Sequence, residues 1–190
     1  MRNRAALSLV LLAGCVPSLR PIDPWGFEGY PGGQVAGWRF ELRDGRRWTF
    51  RDDLDPEAEP MLLALAQDGD EFELRGRKQG DLTVAVKDGY LEIHHLRSLV
   101  ERPLKFEGVI GSRWTMPGAR GEFFGFDELE VLGEKIPTLV VAIDRHTDVG
   151  RRRDIYWFAM AKGWVRIRSE LDGRPQRDMR LVEFEPGSSN

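Results

Sequence analysis

The sequence predicts an all-β domain, a strongly curved antiparallel sheet of about ten strands that forms a half-barrel or open barrel. Three observations predict it. Apolar and polar residues alternate over short runs, as where Trp38, Phe40 and Leu42 oppose Arg39, Glu41 and Arg43. Turn signals separate the runs, among them Asp44-Gly45, Asp88-Gly89 and Asp172-Gly173. The runs follow one another so closely that almost no room is left for helices.

In order, strands are expected at Trp38 to Arg43 and Arg47 to Arg51, joined across Asp44-Gly45 as a hairpin. A meander follows over Asp70 to Arg77, Asp81 to Lys87 and Tyr90 to Leu96, turning at Gly80 and Asp88-Gly89. Leu104 to Ile110 and Arg113 to Met116 come next. Glu122 to Leu132 and Thr138 to Arg145 form a longer pair around Gly133. Asp154 to Ala159 and Trp164 to Glu170 make a hairpin across Lys162-Gly163, and Arg177 to Glu185 is last. Pro60 to Ala66 reads two ways. Its residues favour helix after a proline, but the segment is short and Asp68-Gly69 turns it into the next strand, so strand is preferred.

The N-terminus has a different character. Arg2 and Arg4 precede an apolar run from Ala5 to Leu12 broken only by Ser8, then Ala13, Gly14 and Cys15. This is the layout of a secretory signal peptide. Eight apolar residues span about 12 Å as helix, far less than the ~30 Å of a bilayer core. The run Leu12-Ala13-Gly14-Cys15 resembles a bacterial lipobox. The resemblance implies a diacylglycerol on the Cys15 thiol, cleavage just before it, and acylation of the new amine. Val16 in place of Asp favours the outer membrane, on its periplasmic side, in a Gram-negative source.

The expected organisation is therefore a signal peptide over 1–14, a lipidated Pro/Gly-rich tether over 15–35, a β-rich domain over 36–185 and a frayed tail over 186–190. The 190 residues carry a net charge of -3. Removing Arg2 and Arg4 leaves 26 basic against 31 acidic residues, a net of -5. That balance excludes a polybasic patch for anionic lipid and argues against nucleic acid as a partner. Cys15 is the only cysteine, so no internal disulfide forms.

The second half resembles a family of uncharacterised β-rich domains in secreted and lipid-anchored bacterial proteins. The matching motifs are Pro103-Leu104-Lys105, Gly111-Ser112-Arg113-Trp114-Thr115, and Ile155 to Ala159 leading into Gly163-Trp164-Val165. Leu181 to Phe184 fits the closing strand. Lys135-Ile136-Pro137 departs from the family's Pro-Ala-Gly turn. The resemblance implies the curved antiparallel sheet and transfers no catalytic residue.

Chemistry-bearing residues are sparse. No serine sits in a nucleophile elbow. His94 and His95 are neighbours on a strand and point apart; His146 lies near a turn with Asp148. Asp52, Asp53, Asp55, Glu57 and Glu59 could offer oxygens to calcium, but Pro56 and Pro60 stiffen the stretch and a solvated loop is preferred. Arg151-Arg152-Arg153, with Arg166 and Arg168, reads as a basic turn that could meet an anion, or more simply as a guard on a sheet edge. Tyr156, Trp157, Phe158 and Trp164 are core residues on the simplest reading and a hydrophobic ligand groove on the sharper one. The expected function is a lipid-anchored, non-enzymatic binding or interaction module of the cell envelope. It needs no cofactor or metal, and its partners are the membrane and a hydrophobic ligand or envelope protein. The alternatives are a carrier of a lipid or other hydrophobic ligand on the concave sheet face, and an envelope enzyme.

Overall fold

The computed structural model describes residues 42–69, 71–76, 82–94, 100–105 and 108–188. The described chain forms twelve strands: β1 (Arg47–Asp52), β2 (Met61–Asp68), β3 (Glu71–Gly76), β4 (Leu82–Lys87), β5 (Tyr90–His94), β6 (Val100–Lys105), β7 (Arg113–Met116), β8 (Ala119–Val131), β9 (Glu134–Thr147), β10 (Gly150–Ala159), β11 (Gly163–Leu171) and β12 (Arg174–Glu185). They form one antiparallel sheet in the order β6-β5-β4-β3-β2-β1-β12-β11-β10-β9-β8-β7. Each strand thus pairs with its chain neighbours, and β1 pairs with β12. The exception is β6 with β7, which end the sheet on opposite sides. The sheet curls until these two ends face each other, giving a nearly closed barrel.

Local sequence explains the tight turns. At Asp88-Gly89, Leu132-Gly133 and Asp172-Gly173 both central residues have positive φ. That is the type I′ geometry whose twist matches the flanking strands.

The inner face carries Trp48, Phe50, Leu65, Leu74, Val84, Leu91, Leu104, Phe123, Val141 and Leu181, all at 5% exposure or less. Burying each large side chain stabilises the fold by roughly 1.5–3 kcal/mol. Trp48, Trp164 and Phe158 pack in series, with centroids 5.6 and 5.9 Å apart. The Trp48 Nε1–H donates to the Lys162 carbonyl at 2.6 Å. Strands β9 and β10 are buried on both faces: Val140, Ala142, Ile155 and Trp157 point away from the interior yet are at most 3% exposed.

The seam between β6 and β7 is closed by side chains where no ladder exists. Trp114 Nε1–H donates to the Arg102 carbonyl at 3.0 Å, and the Arg102 amide points at Met116 Sδ, 3.5 Å away. Trp114 lies across Gly121, its cross-strand partner. A Cβ at Gly121 would meet Trp114 Cε2 at 2.1 Å, so only glycine leaves room for the indole. Across the same seam, Arg145 of β9 reaches Glu101 of β6 at 2.8 Å.

Several expectations need correction. Of the strand expected at Trp38 to Arg43, residues 38–41 lie outside the described residues, and Leu42 and Arg43 are in no strand. Asp44-Gly45 does turn, but it caps the β1–β2 ladder instead of joining a hairpin: the Gly45 amide donates to the Leu65 carbonyl, and Asp44 Oδ1 accepts from the Gln67 amide. Met61–Asp68 is a strand, as the sequence reading preferred. Its helix-forming residues are overridden by pairing on both sides, which turns Leu63 and Leu65 inward. The strand expected at Leu104 to Ile110 lies earlier, at Val100–Lys105. Pro103 is tolerated there because β6 is an edge strand, where a missing N–H costs no ladder bond. Residues 186–188, expected in a frayed tail, are tied down. The Arg46 Nε–H donates to the Pro186 carbonyl and the Ser188 amide to the Asp44 carbonyl.

Candidate functional site

The loop from Asp53 to Pro60 joins β1 to β2 and is longer than a hairpin needs. It is pinned. Asp52 Oδ1 accepts from the Leu54 and Asp178 amides, each at 3.0 Å, and the Asp53 amide donates to the Asp178 carbonyl at 2.9 Å. Arg180 reaches the Asp53 carboxylate at 3.2 Å, and the Ala58 amide closes a turn on Asp55. Pro56 and Pro60 restrict the rest.

So held, the loop roofs a cavity of about 350 Å³ at the barrel rim. Met61, Leu63 and Met179 form its apolar floor; Leu54, Ala58 and Pro60 form the wall on the loop side. Gly76, at the end of β3, contributes backbone only. Asp52, Asp55 and Glu59 line it as carboxylates, with Arg177 and Gln176 from β12. Leu54 is 51% exposed, an apolar side chain standing at the opening. The acidic stretch noted in the sequence is therefore a rim structure. Asp52 and Asp53 are spent on the loop's own hydrogen bonds and ion pair. Among the described residues no three His, Cys, Asp or Glu side chains converge on a metal-sized site.

The aromatic residues singled out in the sequence are split between two faces. Tyr156 and Phe158 share the inner face, 6.1 Å apart, with Phe158 leading on to Trp164. Trp157 points the other way. Its Nε1–H donates to Asp127 Oδ2 at 3.0 Å, and the Arg166 guanidinium sits 5.1 Å over its ring. Burial pushes the Tyr156 hydroxyl up, and Asp154 and Glu101 push it further in the same direction. Leu12, Ala13, Gly14 and Cys15 lie outside the described residues.

The arginine cluster is neither a turn nor an edge. Arg151 to Arg153 sit within β10, flanked by β9 and β11, and each has a carboxylate. Arg151 and Arg153 both reach Asp144, at 3.1 and 2.8 Å. Arg152 reaches Asp154 at 2.9 Å, Arg166 reaches Asp178 at 2.6 Å and Arg168 reaches Glu170 at 3.0 Å. The cations are thus all paired within the sheet, with Asp144 shared by two of them. Of the histidines, His94 pairs with Glu92 at 3.1 Å, where Arg102 also lands at 2.8 Å. His146 is exposed and His95 lies outside the described residues.

Asp144 gives a test of this belt. Burial alone would raise its carboxyl, but hydrogen bonds and charge from Arg153 and Arg151 outweigh that and hold it below the ordinary carboxylate value. A carboxyl held low in the folded state stabilises above its unfolded value, and that contribution fades as pH falls through the folded one. Both partners are partly exposed, so screening limits Asp144→Asn to a cost of about 1 kcal/mol at neutral pH. Urea melts in steps of pH check this: the gap from wild type should shrink below pH ~4, and a constant gap refutes the assignment.

Sequence alone did not reveal the cavity. Met61, Leu63, Met179 and Arg177 each look like ordinary strand residues. The available signal was an acidic, proline-flanked stretch too long for a hairpin.

The architecture is that of an antiparallel, single-sheet, nearly closed barrel. Among solved structures, the chain is similar in fold to an exported protein with a YmcC-like fold from Bacteroides fragilis. That match has a TM-score of 0.48 at 11% identity and covers 78% of this chain and 99% of the other. It is also similar to the hypothetical lipoprotein YmcC from Escherichia coli, with a TM-score of 0.39 at 12% identity, covering 78% and 91%. No described protein family and no curated protein matches the chain in sequence.

Proposed function

We propose that the chain is a cell-envelope lipoprotein anchored through acyl chains on Cys15, and that its barrel is a non-enzymatic binding module working at the rim. The observation that carries the binding part is the rim cavity. Its volume of about 350 Å³ falls within the range of small-ligand sites, and its loop is pinned in place before any ligand arrives. The anchoring part is supported by Leu12-Ala13-Gly14-Cys15 behind a basic and then an apolar run. The apolar floor favours a carrier of hydrophobic ligands as the second reading, with the ligand at the rim. The concave face itself is taken up by Phe158, Trp164, Trp48 and Phe123.

Cys15→Ala tests the anchor. The variant should lose incorporation of a labelled fatty acid and leave the membrane fraction, or accumulate with its signal uncut. Unchanged labelling and fractionation would overturn the lipobox reading. Two or three acyl chains give stable attachment, so the expected effect is near-complete release.

A further inference from the structure

We infer that the rim cavity takes a small amphiphile with an aliphatic chain and a cationic head, an alkylammonium. This rests on the reading of the cavity as a binding site. The floor of Met61, Leu63 and Met179 offers no hydrogen-bonding group and suits a hydrocarbon chain. The mouth is unevenly charged. Among the described residues, three carboxylates line the cavity against one guanidinium, Arg177. Asp52 is occupied by two backbone amides. Asp55 and Glu59 are exposed, and among the described residues neither enters an ion pair. An ammonium group entering there meets opposite charge at short range, whereas a carboxylate head meets repulsion that Arg177 only partly offsets. The pinned loop fixes these charges relative to the floor, so little ordering is left for the ligand to impose.

The test compares three probes with one chain and three heads: decylammonium, decanol and decanoate. Each is titrated calorimetrically into the purified full chain at low salt, below its micelle concentration. Decylammonium should bind about tenfold more tightly than decanoate, with decanol between, and added salt should narrow the spread. The double variant Asp55→Asn, Glu59→Gln should remove the preference and leave decanol binding unchanged. Ala58→Trp should fill the cavity and abolish binding of all three. Should Ala58→Trp fail to fold, the double variant, which alters only exposed side chains, still decides the charge assignment.

If no probe binds, the cavity is not a ligand site and the underlying reading falls. Equal binding of all three refutes the head-group inference alone. A preference that survives the double variant, or binding that survives Ala58→Trp with the fold intact, places the interaction elsewhere and overturns the proposal.

Discussion

Gly121→Val is expected to destabilise the barrel by about 3 kcal/mol, near the top of the range for overpacking a filled core. The new side chain would occupy space held by the Trp114 indole, whose ring atoms lie 2.1 to 2.5 Å from an ideal Cβ at that position. Trp114 cannot yield cheaply. It packs on Phe123 at 5.0 Å between centroids and holds the Arg102 carbonyl across the seam. Expelling it therefore removes both core packing and the hydrogen bond that stands in for a β6–β7 ladder. Urea unfolding measures the loss. Placing Trp114→Leu in the Gly121→Val background should recover part of it, because the smaller side chain makes room. Additive costs for the two substitutions would show that they do not compete for the same space.

Arg145→Met is expected to cost a similar amount, about 3 kcal/mol, for an electrostatic reason. Arg145 lies between Glu101 at 2.8 Å and Asp154 at 3.3 Å, and those carboxylates are only 19% and 2% exposed. Burial opposes the guanidinium's charge, but Glu101 above all, then Tyr156 and Asp154, outweigh it and raise the pKa. Methionine preserves much of the apolar stem but removes the guanidinium that two largely buried carboxylates share. Asp154 keeps Arg152 and the Ser169 hydroxyl, so adding Asp154→Asn to Arg145→Met should recover little. Acidification should also narrow the deficit of the single variant, since protonation neutralises a stranded carboxylate. Thermal melts from pH 7 downward provide the check, and a deficit that grows on acidification would refute the account.

Much of the fold was legible because its signals are local. Asp88-Gly89 and Asp172-Gly173 announce hairpins by the backbone conformations they permit, and the apolar strand at Ile155 to Ala159 announces burial on both faces. The strand preferred at Met61 to Asp68 also formed, although only pairing with β1 and β3 overrides its helix propensity. The failures share a different cause. Asp44-Gly45 has the chemistry of a hairpin turn, and only the distant Leu65 and Gln67 reveal that it caps a ladder. The arginines looked free because register supplies several of their carboxylate partners from other strands: Asp144 of β9 meets Arg151 and Arg153 of β10, and Asp178 of β12 meets Arg166 of β11. The cavity was hidden for the same reason. Its floor joins residues from β2 and β12 more than a hundred positions apart, and no pattern along the chain records that they meet.

The β1–β12 pairing gives the molecule a second, unused set of ends. Read around the barrel from β7, the strands run β7 to β12 and then β1 to β6, an unbroken meander whose only covalent interruption falls between β12 and β1. There the chain has already returned to itself, with Arg46 bonded to the Pro186 carbonyl and Ser188 to Asp44. A circular permutant joined at that point and opened between Lys105 and Arg113 would build the same sheet from sequential hairpins alone. It would also convert the pairing of Arg47 with Glu185 from the longest-range contact in the sheet into a local one. The natural order does the opposite. It leaves the central ladder to be closed by the last strand made, so β1 must wait for β12 before the barrel can form. That wait lengthens folding by raising contact order.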